Sequence, residues 1–309
     1  MAKILITGVN GFIGSHVADR LARGHELLGL DRQEAPRPGL PSPYVRMSLP
    51  DPGLAEVVAS FAPDWCIHCA GGAEVGFSLA NPARDFDMGP YATLHLLEAL
   101  RTARPGCVLV FCSSAAVYGN PDRLPVSEDA PCAPISPYGF HKLVCETVLK
   151  EYRQIYGVPS VVLRIFSCYG AGLRKQLLWD VAEKYRAGRL EFFGTGEETR
   201  DFIHVRDVAE AFARIVEAEV RNCTLNLASG AETTIRRLIT SLVAELGGPA
   251  QEVRFAMDVR AGDPRFWRAD ITRAAALGIT PTVPLELGIA EYARWHQDLH
   301  TSTPEGTRP

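Results

Sequence analysis

The 309-residue sequence predicts an α/β protein built on a doubly wound parallel sheet, long enough for one large core or for two domains sharing one. Three observations carry that expectation. Short apolar runs alternate with helical patterns through the first half, and such alternation winds into a parallel sheet. The run Cys107–Cys112 is apolar without interruption, the mark of a strand covered on both faces. The chain also opens on a strand, a glycine-rich turn, a helix, a second strand and an acid, in that order.

The opening justifies itself residue by residue. Lys3–Thr7 is a short β-type run, followed by glycines at Gly8, Gly11 and Gly14. The helix after them carries Val17, Leu21 and Ala22 on one face, and Leu27–Leu30 runs into Asp31. The chain must reverse tightly at Gly8, let a pyrophosphate approach near Gly11, and pack helix against strand at Gly14. The positive end of the helix then faces the phosphates. Asp31 stands where a carboxylate accepts bonds from both ribose hydroxyls of an adenosine. Strand, turn, helix and acid in register predict a dinucleotide site rather than a merely structural βαβ unit.

Glu34–Pro43 is too rich in proline for regular structure. Tyr44–Met47 reads as the third strand, Gly53–Phe61 as a helix, and Trp65–Cys69 as the fourth strand, ending in Ala70-Gly71-Gly72. Pro82–Arg104 is mostly helical, with Leu94, Leu97 and Leu100 on one side, and Ser113 and Ser114 sit at the carboxyl end of the fifth strand. Pro137 starts a helix that runs to about Tyr156. Ser160–Ile165 is the sixth strand, Leu177–Ala187 and Val205–Glu219 are helices, and Thr224–Ala228 is the seventh strand. Thr234–Leu246 is helical with Ile235, Leu238, Ile239 and Leu242 on its apolar face, and Leu285–Leu299 is the last helix before a polar, mobile tail from Thr301. Ligands of such sheets bind at the carboxyl ends of strands, so Gly8, Asp31, Ala70, Ser114 and Ser167 are expected to converge on one cleft.

Composition narrows the function classes. A net charge of −4 argues against nucleic-acid binding through phosphate contacts. No apolar stretch approaches the roughly 20 residues of a membrane helix, and the N-terminus enters a strand without signal-peptide architecture, so a cytoplasmic location is the default. Cys66 and Cys69 form a CxxC pattern, but residues three apart on a strand point to opposite faces, so neither a disulfide nor a bound metal is expected.

Tyr138 and Lys142 lie four apart on one helix face. An ammonium there stabilises phenolate charge, which lets the tyrosine act as a base near neutral pH. Ser114 offers a hydroxyl to orient a substrate or share its proton. His141 falls on a different face of that helix and is expected at the surface.

Here the chain resembles the extended short-chain dehydrogenase/reductase family, and within it the nucleotide-sugar epimerases. The likeness rests on Thr7-Gly-Val-Asn-Gly-Phe-Ile-Gly14, the Ser114-Ala-Ala-Val-Tyr-Gly119 run, and Tyr138 with Lys142. It continues through Tyr169-Gly170, Gly194-Thr-Gly196 leading to Arg200-Asp-Phe-Ile-His204, and Arg260-Ala-Gly-Asp263. The resemblance implies a Rossmann-type domain over 1–170, with a contribution from about 200–229. It also implies a smaller C-terminal α/β substrate domain over 171–199 and 230–300, followed by the tail 301–309. The implied cofactor is NAD, held by Gly8, Asn10, Gly11, Phe12, Ile13, Gly14, Asp31, Arg32 and Ala70 together with Tyr138 and Lys142. Arg32 would tolerate a 2′-phosphate, but Asp31 repels one, which favours NAD over NADP. The implied substrate is a nucleoside diphosphate sugar. Arg200 and Arg260 match the family's diphosphate clamps, Gln176, Leu178 and Phe193 its base-enclosing positions, and Ser114, Ser167, Arg174 and Trp267 its sugar pocket. A homodimer is implied through the helices 82–104 and 138–156. Ser48, Gly89 and Ser167 depart from the family's usual Asp, Asn and Asn.

Three chemistries compete within the resemblance. The first is 4-epimerisation of a UDP-hexose or UDP-hexuronate by transient oxidation at C4. The second, dehydration or decarboxylation, calls for acidic residues just after the serine, where this chain has Ala115 and Ala116. The third is NAD(P)H-dependent reduction of a 4-keto sugar. A non-catalytic NAD-binding role is the reading outside enzymology, and such proteins typically lose the Tyr or Lys kept here. Trp267, the largest side chain available, is expected to fill the space of an N-acetyl group and favour plain hexoses or hexuronates, or else to pack between the two domains.

Overall fold

A computed structural model describes residues 1–257 and 264–301. The first half alternates as its pattern requires. Its elements are β1 (Lys3–Thr7), α1 (Phe12–Leu21), β2 (Glu26–Asp31), β3 (Tyr44–Arg46), α2 (Leu54–Phe61) and β4 (Trp65–His68). There follow α3 (Val75–Ala80), α4 (Pro82–Phe86), α5 (Ala92–Ala103), β5 (Val108–Ser114), α6 (Pro137–Tyr156) and β6 (Ser160–Ile165). The second half adds β7 (Ser167–Tyr169), α7 (Gln176–Arg186), β8 (Glu191–Phe192), β9 (Thr199–Arg200), β10 (Phe202–His204) and α8 (Val205–Glu217). The chain continues with β11 (Cys223–Leu227), β12 (Thr233–Thr234), α9 (Ile235–Glu245), β13 (Arg254–Phe255), α10 (Thr272–Ala276) and α11 (Leu285–Thr301).

Seven parallel strands form one sheet in the order β11-β6-β5-β4-β1-β2-β3. Strand order reverses between β1 and β4, which opens a crevice at their carboxyl ends. Successive side chains alternate between two cores. Ile4 and Ile6 join the cluster under α1 and α8, while Leu5 joins the one under α2, α5 and α6. Cys66 belongs to the second cluster and Cys69 packs against the first, so the two thiols face opposite sides of the sheet. A third cluster, with Leu178, Val181, Leu238, Leu242, Ile289 and Tyr292, joins α7, α9 and α11.

The stretch expected as one mostly helical run from Pro82 is divided, and α3 was not foreseen at all. Pro82 occupies the first turn of α4, and Pro90 sits in a widened turn, Asp87–Tyr91, between α4 and α5. A proline lacks the amide that continues an α-helical ladder, so the turn opens around it. The last helix extends two residues beyond Leu299, to Thr301; the tail 302–309 lies outside the described residues. Also unforeseen are the short strands, which pair segments far apart in sequence: β7 with β10, β9 with β12, and β8 with β13. Among the described residues no helix is long and apolar enough to cross a membrane.

Candidate active site

The crevice between β1 and β4 is shaped by glycine. Gly8 has φ +71°, and a Cβ there would lie 2.6 Å from Ala70 N, so β1 and β4 close on each other only without a side chain. A Cβ on Gly14 would lie 2.2 Å from Gly8 O, which brings the first turn of α1 against the end of β1. Gly11 caps α1 with no side-chain bond, so the first-turn amides face the cleft, where Gly11, Phe12, Ile13 and Gly14 form the wall. That cradle fits a pyrophosphate.

Asp31 is buried at the end of β2, its Oδ2 accepting from Asn10 N at 3.0 Å and its Oδ1 from Gln33 N at 3.2 Å. Asn10 was expected to hold cofactor. Its side chain ties the following loop, donating to Ala35 O at 2.9 Å and accepting from Arg37 N at 2.9 Å. Arg32 is exposed beside Asp31.

The trio expected from the sequence, Ser114, Tyr138 and Lys142, is brought together by two caps. Ser114 ends β5, and its Oγ accepts from Ala116 N at 3.2 Å, leaving the hydroxyl proton to donate elsewhere. Ser136 caps α6 by accepting from Gly139 N at 3.2 Å, with Pro137 in the first turn. A Cβ on Gly139 would lie 2.6 Å from Ala116 O; glycine therefore lets α6 lie against the turn that follows Ser114. Tyr138, Ser114 and Lys142 share one wall of the cleft. Lys142 Nζ donates to Cys112 O at 2.8 Å and stands 5.7 Å from the Tyr138 ring centroid. Burial opposes its charge, but Tyr138, Cys145, Cys112 and Asp85 outweigh burial and raise its pKa.

A buried polar network supports the trio from behind. Ser113 Oγ donates to Glu146 at 2.5 Å, and Glu146 is paired with Arg164 at 2.8 Å. Arg164 Nη1 donates to Tyr118 OH at 2.9 Å, and Tyr118 to Asn226 Oδ1 at 2.7 Å. Burial pushes Tyr118 up to about 12, so it remains a neutral donor. Sequence reasoning missed this network because its members come from β5 and the turn after it, α6, β6 and β11. It also placed His141 at the surface. The ring is mostly covered and bonds buried Asp85 on α4 at 2.5 Å.

The wall of this cleft of about 980 Å³ also carries Ser167, Gln176, Leu178, Phe193, Arg200 and Trp267. The Arg200 guanidinium stands 5.5 Å over the Trp267 ring and donates to Thr199 O at 2.8 Å. The Trp267 indole donates to Gly119 O at 3.0 Å while its ring meets Phe166 edge-on at 5.7 Å. Trp267 thus both lines the cleft and packs against the β5–α6 connection. Arg174 does not join that wall: it is exposed, and Lys175 lines the cleft instead, paired with Glu74 at 3.3 Å. Gln176 Nε2 donates to Ala73 O at 3.2 Å, a second tie across the mouth. Gly8, Asn10, Asp31, Arg32 and Ala70 stand outside the walls of this cleft, at or beside the carboxyl ends of β1, β2 and β4. Arg260 lies outside the described residues.

Comparison with known proteins bears on what binds there. The model of the NAD dependent epimerase/dehydratase family matches residues 4–228. The chain is 34% identical over 304 residues to a UDP-glucose 4-epimerase of Mycolicibacterium smegmatis, covering 94% of this chain and 96% of that one. It is similar in structure to a UDP-glucose 4-epimerase of Thermotoga maritima solved with UDP-glucose (TM-score 0.88, 29% identity, 96% and 99% covered). It is equally similar to a UDP-glucuronic acid 4-epimerase of Bacillus cereus in complex with UDP-glucuronic acid and NAD (TM-score 0.88, 25% identity, 96% and 99% covered).

Proposed function

Since the chain belongs to the NAD-dependent epimerase/dehydratase family, we propose that it is a UDP-sugar 4-epimerase acting on a hexose or hexuronate. The observation that carries the reaction is the composition of the wall around Ser114. Tyr138 and Lys142 stand beside it, while Ala115 and Ala116 follow it, the first fully buried and the second in the cleft. A dehydration or decarboxylation needs a further proton-transferring side chain there, and a methyl group transfers none.

Gly11–Gly14 would hold the cofactor's pyrophosphate and Asp31 its adenosine ribose, where a carboxylate repels a 2′-phosphate. NAD, when bound, supplies the two-electron acceptor that C4 oxidation requires and gives those electrons back in the second half-reaction. Tyr138 removes the 4-hydroxyl proton as the carbonyl forms and returns it when the alcohol is restored. Lys142 stabilises the phenolate charge that Tyr138 carries before it takes that proton and after it returns it. Ser114 donates its hydroxyl proton to the C4 oxygen and keeps it facing Tyr138. The 4-keto sugar turns over between the two half-reactions, so the opposite face of C4 is presented for reduction while the C4 oxygen again meets Tyr138. Arg200 suits the diphosphate, because a guanidinium fork matches phosphate oxygens. Trp267 fills the space beside the sugar, which supports a preference for substrates without an N-acetyl group.

Homodimerisation is supported by one apolar face: Leu79, Phe86, Phe140 and Val144, on the neighbouring helices α3, α4 and α6, are 51%, 42%, 53% and 36% exposed. The deciding experiment is an NMR assay of the purified protein against a panel of nucleotide sugars, with no net cofactor turnover expected. Tyr138→Phe removes only the hydroxyl, so binding survives while turnover falls by orders of magnitude. Near-normal turnover of that variant, or stoichiometric release of oxidised or reduced cofactor, rejects the reading.

A further inference from the structure

We propose that Glu183, His296 and His300 form a site for a divalent transition metal that clamps α11 onto α7, away from the catalytic trio. His296 and His300 lie four apart on one face of α11, and Glu183 projects from the second half of α7. Their ligating atoms all fall within 4.8 Å of one another. Both imidazole Nε2 atoms converge on the same carboxylate oxygen, Glu183 Oε1, at 2.9 Å and 3.2 Å.

The spacing matches a coordination shell. With metal–nitrogen and metal–oxygen bonds of about 2.0–2.2 Å, the edges of a tetrahedral shell measure roughly 3.3–3.5 Å. The two Nε2–Oε1 separations lie within a few tenths of an ångström of that, and no separation in the set exceeds 4.8 Å, so modest side-chain rotations would bring the three atoms onto one shell. The donors are also held in place. His296 is buried and meets Trp179 edge-on at 5.3 Å. Arg186 donates to the other carboxylate oxygen, Oε2, at 2.9 Å, which leaves Oε1 as a single ligand. His300 is half-exposed, which gives an entry path and leaves a fourth position for water.

In the metal-free chain an ionised carboxylate only accepts, so each imidazole presents Nε2–H to Oε1. Metal binding takes the Nε2 lone pairs, and those protons relocate to Nδ1 through solvent. Arg186 opposes the added charge, which calls for the borderline metals that imidazole binds strongly (zinc, cobalt, nickel, copper) rather than magnesium or calcium. The alternative is a hydrogen-bonded triad that excludes metal.

The test uses tag-free, chelator-treated protein titrated with Co²⁺, followed by visible absorption and calorimetry, with Zn²⁺ as competitor. The expected result is one Co²⁺ per chain with an intense tetrahedral band, displaced by Zn²⁺, and a rise in melting temperature with either metal. His300→Ala, at an exposed position outside the cleft, should weaken Co²⁺ binding at least about tenfold while leaving metal-free turnover unchanged; Glu183→Gln should do the same to the affinity. Absence of the band, a thiolate charge-transfer band in its place, or less than tenfold weakening in His300→Ala overturns the proposal.

Discussion

Gly14→Ala tests the physical basis of the dinucleotide site. The added methyl would stand 2.2 Å from Gly8 O, 2.9 Å from Gly8 C and 3.1 Å from Val9 Cα, all backbone atoms. Ordinary contact begins near 3.4 Å, so helix and turn must part by about 1 Å. The turn is the stiffer partner, because Gly8 N donates to Leu30 O at 2.7 Å and Gly8 O accepts from Gly11 N at 2.9 Å. The movement therefore falls on α1, whose Val17, Ala18 and Leu21 are fully buried. Disturbing that packing costs about 1–3 kcal/mol of stability. Shifting the first-turn amides off a phosphate loses one charge-assisted hydrogen bond, about 1.5–3 kcal/mol, or roughly ten- to hundredfold in NAD affinity. Calorimetry of NAD binding to cofactor-stripped protein and urea unfolding measure the two effects. Gly24→Ala is the control, since a Cβ there meets nothing within 4 Å. If Gly14→Ala binds NAD as tightly as the wild type and unfolds at the same urea concentration, the close approach of α1 to β1 is not what forms the cradle.

Arg200→Leu should weaken UDP binding by roughly 1–3 kcal/mol with the fold intact, and unchanged affinity would assign Arg200 a structural role, such as its contacts with Thr199 O and the Trp267 ring. Trp267→Ala should raise kcat/KM for UDP-N-acetylglucosamine relative to UDP-glucose and UDP-glucuronate, while costing about 3–5 kcal/mol of stability from the emptied core site. No gain for the N-acetyl sugar would place Trp267 in packing only. His68 is buried between Thr7 and Thr93, and burial pushes its pKa from 6.5 down to about 3. The unfolded chain then binds the extra proton, so this contribution is full above pH 6.5 and fades as pH falls toward 3. Between pH 7 and pH 5 the wild type should lose about 2 kcal/mol more urea stability than His68→Asn. Parallel curves for the two proteins would contradict a neutral, buried His68.

What the sequence determined by itself is what depends on neighbours along the chain. Period-two and period-3.6 patterns, the glycines at 8, 11 and 14, Asp31 after the second strand, and Tyr138 four residues before Lys142 all express local constraints on backbone and face. Those constraints suffice for the doubly wound sheet, and they put Ser114, Tyr138 and Lys142 in reach of one another, because strand ends of such a sheet meet at a single edge. The tertiary structure decided whatever rests on segments that meet only after folding. Nothing near Arg174 in the chain says that Lys175 rather than Arg174 turns inward; the partner that draws Lys175 in is Glu74, about a hundred residues earlier. His141 reads as a surface residue until Asp85 of α4 lies against it. The side-chain amide of Asn10 meets its partners Ala35 O and Arg37 N only once the loop beyond β2 has folded back over it. His296 and His300 show helical spacing, but Glu183 reaches them only through the packing of α7 against α11. A polar side chain takes whichever partner desolvation leaves it, and that partner is fixed by three-dimensional packing rather than by position in the chain.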